Sequence, residues 1–371
     1  MKAREMVVDG VTIGDGSDCY VIAEIGQNHE GDLDKCKALF DAAKQCGASA
    51  VKLQKRDNRA LYTRDMYEEP YNSENAYAPS YGRHREYLEF SRGQFVELFN
   101  YAREIGITMF STAWDIPSAD LLNDIGMPAF KIASGDLRTI PLIKHIARFG
   151  KPMFISTGGG AMADVKRMYE AVAPINDRIC IMQCTSGYPP SFEELNINVI
   201  DTFRRAFPDA VIGFSSHDNG IAMAMVGYML GARAVEKHFT LNRSWKGTDQ
   251  AFSLEPPGMR RLVRDLKRAR TALGDGVKRS YPSEQAPLRK MGKMLVATRE
   301  ISAGETLSES DIAYKSPGEG VAPYYLDFFV GKTMQNPIGP DDPITFEMIG
   351  ATEADARERA DAPKRTDVAA A

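Results

Sequence analysis

Short apolar runs recur along this chain, and the stretches between them have the spacing of amphipathic helices. The runs are YVIAEIG (20–26), AVKLQ (50–54), TMFSTA (108–113), AFKIAS (129–134), PMFIST (152–157), RICIMQC (178–184), AVIGFSS (210–216) and AVEKHFT (234–240). Each is apolar enough to be covered on both faces, the pattern of a parallel strand. A helical pattern follows each one. In DLDKCKALFDAAKQCGA, Leu33, Cys36, Leu39, Phe40 and Ala43 share one helical face, and Gly47 ends it. Eight β/α units in a row predict a closed (β/α)8 TIM barrel, because an open doubly wound sheet rarely needs eight.

The rhythm breaks once, between Lys55 and Arg92. This long connection carries Tyr62, Tyr67, Tyr71, Tyr77, Tyr81 and Tyr87 and follows the second strand at the C-terminal mouth. Long loops there are lids, binding loops or surface packing. The rhythm stops after LVRDLKRARTALGDG. A Pro- and Gly-containing linker then leads to MLVATREISAGETLSESDIAYKSPGEG, which predicts a small, mostly β module of short strands and turns. The expected organisation is a barrel over 1–275, a linker over 276–292, the small domain over 293–350 and a disordered, Ala-rich tail over 351–371.

Composition narrows the function. The 371 residues are 43% hydrophobic and 26% charged, ordinary for a soluble globular chain. A net charge of −4 gives no electrostatic case for a nucleic-acid partner. The opening MKAREMVVDG is too polar for a signal-peptide core, and the longest apolar stretch, over 221–232, is too short to span a bilayer. Five cysteines, an odd number, suggest reduced thiols and a cytoplasmic protein. Cys180 and Cys184 alternate with apolar residues and read as packing.

In such a barrel the chemistry sits at the C-terminal ends of the strands. Read in order, those ends offer Glu24; Lys52 and Gln54; Ser111 and Thr112; Lys131, Ser134 and Asp136; Ser156 and Thr157; Gln183, Thr185, Ser186 and Tyr188; Ser215, Ser216 and His217; and Glu236, Lys237 and His238. An ammonium group buried without a partner is very costly. Lys52 and Lys131, ringed by hydroxyls, therefore predict an anion bearing phosphate and carboxylate. The glycines of STGGG (156–160) would bring backbone N–H groups to it, helped by the start of the following helix. Singly, His217 reads as a helix cap and His238 as an internal hydrogen-bonding residue. As a pair ending neighbouring strands they predict a divalent-metal site: Mn2+, with Mg2+, Co2+ or Zn2+ also suiting two imidazoles and open oxygen positions. His29 reads as a substrate contact or a loop residue.

The stretches IAEIGQNHEGDLD, VKLQ, FSTAWD, FKIASGDL, PLIKHIARFGKPMFISTG, QCTSGYP, IGFSSHD, EKHFT and SLEP resemble those of the sialic-acid synthase family, the N-acetylneuraminate, legionaminate and pseudaminate synthases. ISAGETLSESDIAYKSPGEG resembles the SAF (antifreeze-like) domain that such enzymes carry. The resemblance implies a metal-dependent condensation of phosphoenolpyruvate with an aldose, yielding a 2-keto-3-deoxy sugar acid and phosphate. By position it implies that His217 and His238 bind the metal. Lys52, Thr112, Lys131, Ser134, Ser156 and Ser215 would hold phosphoenolpyruvate. Gln54, Ser186, Tyr188 and Asp249 would lie near the acceptor sugar or the reacting centre, and Glu24 and Asp136 would be the acid or base residues. It also implies a homodimer in which the SAF domain of one subunit covers the other's barrel mouth.

Three positions depart from the family pattern: Asp136 stands for a Glu, Ser186 for an Asn and Ser316 for an Arg that contacts the sugar's N-acyl group. The phosphoenolpyruvate half is thus intact and the acceptor half altered, which predicts an acceptor other than N-acetylmannosamine. Two other readings compete. A barrel metal hydrolase would need an H-x-H pair after the first strand, which EIGQNHEG lacks, and it leaves the strand lysines unexplained. A non-catalytic sugar-binding or regulatory homologue is favoured by Ser316 and opposed by the intact histidines and lysines.

Overall fold

The computed structural model describes residues 4–361. The chain divides into two compact units, 1–274 and 275–371.

The first unit opens with a hairpin that the run pattern does not announce. β1 (Glu5–Val8) and β2 (Val11–Gly14) pair antiparallel across Asp9-Gly10. Both turn residues have positive φ, 49° and 80°, as a tight two-residue hairpin turn requires. Eight parallel strands follow: β3 (Tyr20–Gly26), β4 (Ala50–Lys55), β5 (Thr108–Ala113), β6 (Phe130–Ile132), β7 (Met153–Ser156), β8 (Ile179–Cys184), β9 (Val211–Ser216) and β10 (Ala234–His238). They close into a barrel in chain order, with β10 beside β3. The predicted α/β TIM barrel is what the structure holds.

The helices obey local rules. Leu33–Cys46 starts at Asp32, whose carboxylate accepts from Lys35 N, and stops at Gly47 in the left-handed conformation. It buries Cys36, Leu39, Phe40, Ala43 and Cys46 against the barrel's outer face. The apolar stretch over 221–232 forms the helix Ala222–Met229, which buries Ala224, Gly227 and Tyr228. No helix among the described residues is long and apolar enough to cross a membrane.

Strand alternation separates two cores. Val21, Ala23, Val51, Leu53, Met109, Ile181, Ile212 and Val235 face the helices. Tyr20, Ile22, Ala50, Phe110, Ala129, Phe154, Cys180, Met182, Val211 and Ala234 fill the barrel, together with Met6, Val8 and Ile13 of the hairpin. Most of these barrel residues open their strands, so the hairpin plugs the N-terminal end. One step further along each inward row the side chains turn polar.

The second unit holds β11 (Met294–Ala297) and β12 (Ile312–Lys315), paired antiparallel, with short bridges and turns around them. Leu295, Ala297, Ile301, Phe329, Met334 and Ile344 form its core. The expected linker carries a helix, Gln285–Met291. The tail, expected to be disordered, forms a helix over Glu353–Asp361; residues 362–371 lie outside the described residues. Alternating Ala with oppositely charged residues gives this segment helix propensity and an Arg357–Glu353 pair at i,i+4.

Candidate active site

Inward positions near the C-terminal ends of the strands line a cavity of about 410 Å3. The expected residues Glu24, Lys52, Gln54, Thr112, Lys131, Ser134, Ser156, Ser186, Tyr188, Ser215, His217, His238 and Asp249 all face it. They sit on the barrel strands or the loops directly beyond them, so the alternation that buries Phe110 and Phe154 also aims Thr112 and Ser156 into the opening.

The lysines are not short of partners, contrary to the premise drawn from sequence. Lys131 Nζ donates to both oxygens of Glu236, at 2.7 and 2.9 Å. Lys52 Nζ lies 2.7 Å from Glu24 Oε2 and 3.7 Å from Glu236 Oε1, and donates to Thr112 Oγ1 at 3.1 Å. Ser215 Oγ completes the shell with 3.2 Å to Glu236 Oε1. All four charged groups are buried. The two carboxylates differ. Burial pushes Glu236 up, but Lys131 and Lys52 together outweigh it and hold the group at about 2. Burial raises Glu24 above the usual carboxylate range, Lys52 pulls it back in part, and the charge of Glu236 adds to the rise. Glu24 is therefore the carboxylate best placed to carry a proton.

His217 and His238 converge as the strand order predicts, with ring centroids 5.3 Å apart. Tyr188 covers His217 at 4.2 Å. Burial, reinforced for His217 by His238 and for His238 by Lys52, lowers both to about 3, so both are neutral near pH 7. His217 Nδ1 lies 2.9 Å from Thr185 O, which requires a proton on Nδ1 and leaves Nε2 a lone pair. His238 Nδ1 is buried without a hydrogen bond, 3.6 Å from Asp249 Oδ2. Behind them Lys237 pairs with Asp218 at 3.1 Å, tying the strand of one histidine to the loop of the other. Among the described residues no ready-made set of three or more His, Cys, Asp or Glu side chains surrounds an ion position. Two neutral imidazoles with an orphaned ring nitrogen fit an ion that takes its remaining ligands from water and substrate oxygens.

Other expectations shift. Asp136 does not line the cavity; it is buried beside it, and burial, partly opposed by a hydrogen bond with Thr139, lifts it to about 6. The glycines of STGGG do not line this cavity. Gly158 N donates to Ser134 Oγ at 3.0 Å, and a Cβ at Gly158 would overlap Ser186 Oγ and Ser134 Oγ. That glycine lets the backbone pack against two lining serines. Gly159 and Gly160 face a separate groove. His29 is a loop residue, stacked on Phe90 at 4.2 Å and accepting from Gly31 N. Ser316, in the second unit, is exposed and accepts from Lys293 Nζ at 3.0 Å.

Sequence reasoning assigned no role to Glu236, Gln27, Arg56, Arg85 or Trp114, which also line the cavity. Glu236 was detectable, because it lies two residues before His238 and shares its inward face. Arg85 was not. It lies on the helix Tyr81–Leu88 of the Tyr-rich connection, and nothing local marks it as facing the mouth.

The model of the NeuB family matches residues 39–278, and that of the SAF domain matches residues 292–350. The chain belongs to the NeuB family. It is 38% identical to the N-acetylneuraminate-9-phosphate synthase of Mus musculus over 92% of this chain and 95% of that protein. It is 34% identical to the N,N'-diacetyllegionaminic acid synthase of Campylobacter jejuni over 84% of this chain and 94% of that protein. Among solved structures, an N-acetylneuraminic acid synthetase from Leptospira borgpetersenii matches with a TM-score of 0.66 at 27% identity, covering 77% of this chain and 95% of that one. This NeuB-family chain is accordingly an enzyme of the sialic-acid-synthase type, forming a sugar acid by condensation.

Proposed function

We propose that the enzyme condenses phosphoenolpyruvate with the open-chain aldehyde of an N-acylhexosamine-like aldose. The enol carbon forms a bond to the aldehyde carbon. Water adds to the resulting cationic carbon, and the tetrahedral intermediate expels phosphate, leaving a 2-keto-3-deoxy sugar acid. One water is consumed and one phosphate released per turnover.

The observation that carries this reading is the meeting of two neutral histidines and the Lys52–Glu24–Glu236–Lys131 network at one cavity. Lys52 and Lys131, with the hydroxyls of Thr112, Ser134, Ser156 and Ser215, bind the phosphate and carboxylate of the donor. Ser156 Oγ, buried without a partner, is a donor waiting for such an oxygen. Glu24, with its raised pKa, delivers a proton to the forming alkoxide or takes one from the attacking water. Gln54, Ser186, Tyr188 and Asp249 orient the sugar. His217 and His238 hold a divalent ion, with Mn2+ the first choice, and that ion when bound would polarise the aldehyde oxygen as a Lewis acid. On the same reading the enzyme works in the cytoplasm as a homodimer whose SAF domain covers the partner's barrel mouth, and it takes an acceptor other than N-acetylmannosamine.

The test is phosphate release from phosphoenolpyruvate with Mn2+ and a panel of aldoses. Release that needs both sugar and metal supports the reading, and His238→Ala should remove it along with Mn2+ binding measured by calorimetry. Silence across the panel would favour a sugar-binding homologue. Full activity in excess chelator would sink the metal assignment alone.

A further inference from the structure

Glu24, the carboxylate best placed to carry a proton, has a different neighbour at each oxygen. Oε2 faces Lys52 Nζ at 2.7 Å, and Lys52 on β4 stands beside Glu24 on β3. Oε1 accepts from the side-chain amide of Gln54, whose Nε2 lies 2.9 Å away. That second contact depends on a residue to which the proposed reaction gives no role. Arg56 follows directly on β4 and is buried, and its Nη2 donates to Gln54 Oε1. A chain from Arg56 through Gln54 to Glu24 thus runs along the wall of the cavity, which all three residues line.

The order of atoms in that chain is compelled. A guanidinium group has donors only, and an ionised carboxylate has acceptors only. An amide between them must turn its oxygen to the arginine and its NH2 to the glutamate. Reversed, it would set oxygen against oxygen on one side and N–H against N–H on the other. Both bonds of the observed order are charge-assisted, the stronger kind. The local backbone makes room for the arrangement: at Gly26, φ 56°, a Cβ would stand 3.1 Å from both Gln54 Nε2 and Glu24 Oε1. Arg56 is anchored by further contacts. Its guanidinium lies 4.4 Å from the centre of the Trp114 ring, and its Nη1 reaches Glu89 Oε1 at 3.5 Å.

We infer that Arg56 is a positioning residue for the proton transfer: it locks the Gln54 amide with its NH2 on Glu24, which leaves the remaining lone pairs of the carboxylate to exchange a proton with the substrate. This rests on the role given to Glu24 in the condensation proposed above. Without Arg56 the amide is free to turn. Its carbonyl oxygen then accepts the proton of neutral Glu24 and withholds it from the reaction.

The test measures phosphate release by the full-length wild type, Arg56→Met, Gln54→Leu, the double variant and Arg56→Lys. Arg56→Met leaves Glu89 paired, since Lys55 Nζ lies 3.0 Å from it. The expected result is a kcat about 10-fold lower in Arg56→Met, the worth of one hydrogen bond in the barrier, with KM for phosphoenolpyruvate unchanged. Arg56→Lys, which keeps a cationic donor, should regain part of the loss. The double variant should be no slower than Gln54→Leu alone, because Arg56 then has nothing to act through. Losses that multiply in the double variant, or an Arg56→Met effect confined to KM for phosphoenolpyruvate, overturn the lock. Were the wild type to release no phosphate with any sugar, the condensation would fail, and urea unfolding would still read the lock. The coupling between Glu24→Gln and Gln54→Leu should be present with Arg56 in place and lost in an Arg56→Met background. Equal coupling in both backgrounds would overturn it.

Discussion

The two halves of the barrel interior are built on the same eight strands and the same alternation, yet they are held together differently. The N-terminal half is an apolar stack. Phe110 and Phe154 lie 5.1 Å apart, Tyr20 and Phe154 lie 6.1 Å apart, and the hairpin residues Met6, Val8 and Ile13 seal it. The C-terminal half, two residues further along each inward row, is a ring of paired charges around Glu236 with an opening above it. Volume specifies the first half, and charge complementarity specifies the second. Because the interior is close-packed below, the polar groups above are pre-positioned without needing a ligand to order them.

The sharpest way to break this contrast is Glu236→Gln. It removes the carboxylate between Lys52 and Lys131 and leaves buried ammonium charge uncompensated. Urea unfolding should show a loss of roughly 3–5 kcal/mol, and phosphate release should vanish. Adding Lys131→Met should recover much of the stability and none of the turnover. A Glu236→Gln enzyme as stable as the wild type would show that charge pairing does not hold the upper half. In the lower half, Phe154→Ala should cost about 3 kcal/mol through the cavity it leaves, while KM for both substrates stays unchanged. A large shift in KM would mean that the two halves are not separable.

Acid should act on the upper half and its surroundings before the lower. His217, His238 and His29 are held at about 3 and His84 at about 4, each chiefly by burial. Their folded values lie below the unfolded value near 6.5, so the stability they contribute is present above pH 6.5 and is lost as pH falls toward 3. Asp136, raised to about 6, and Glu24, also raised by burial, act in the opposite sense, losing their contribution as pH rises, but they are two groups against four. The urea midpoint should therefore fall between pH 6.5 and 4, and His217→Asn/His238→Asn should flatten the slope. An unchanged slope would refute the neutral-histidine assignment. The smallest effect is expected for Asp136→Asn: with Asp136 off the cavity wall, turnover should change by no more than about twofold, under 0.5 kcal/mol in the barrier. A collapse in activity would bring that carboxylate back into the chemistry.

Much of the site was legible because period-two alternation links a strand's core residues to its functional ones. Once YVIAEIG and AVEKHFT are strands, Glu24, Glu236 and His238 must share the face of Ile22 and Ala234. What the alternation could not supply was partnership. Lys52 and Lys131 look unpaired along the chain because their counter-charges sit on other strands, and the argument for an anion drawn from their isolation was too simple. Arg56 and Arg85 were invisible for a related reason: a loop's path across the mouth depends on contacts far away in sequence.

By itself the sequence determined the strands, the helices with their caps, the barrel and the convergence of His217 on His238, because hydrophobic period and strand order are local or nearest-neighbour properties. The tertiary structure alone decided that the strand lysines are neutralised from within, that Asp136 and the STGGG glycines stand aside from the cavity, and that two arginines form its outer wall. Electrostatic partnership is set by distances of a few ångströms between residues far apart along the chain, and only the closed barrel fixes those distances.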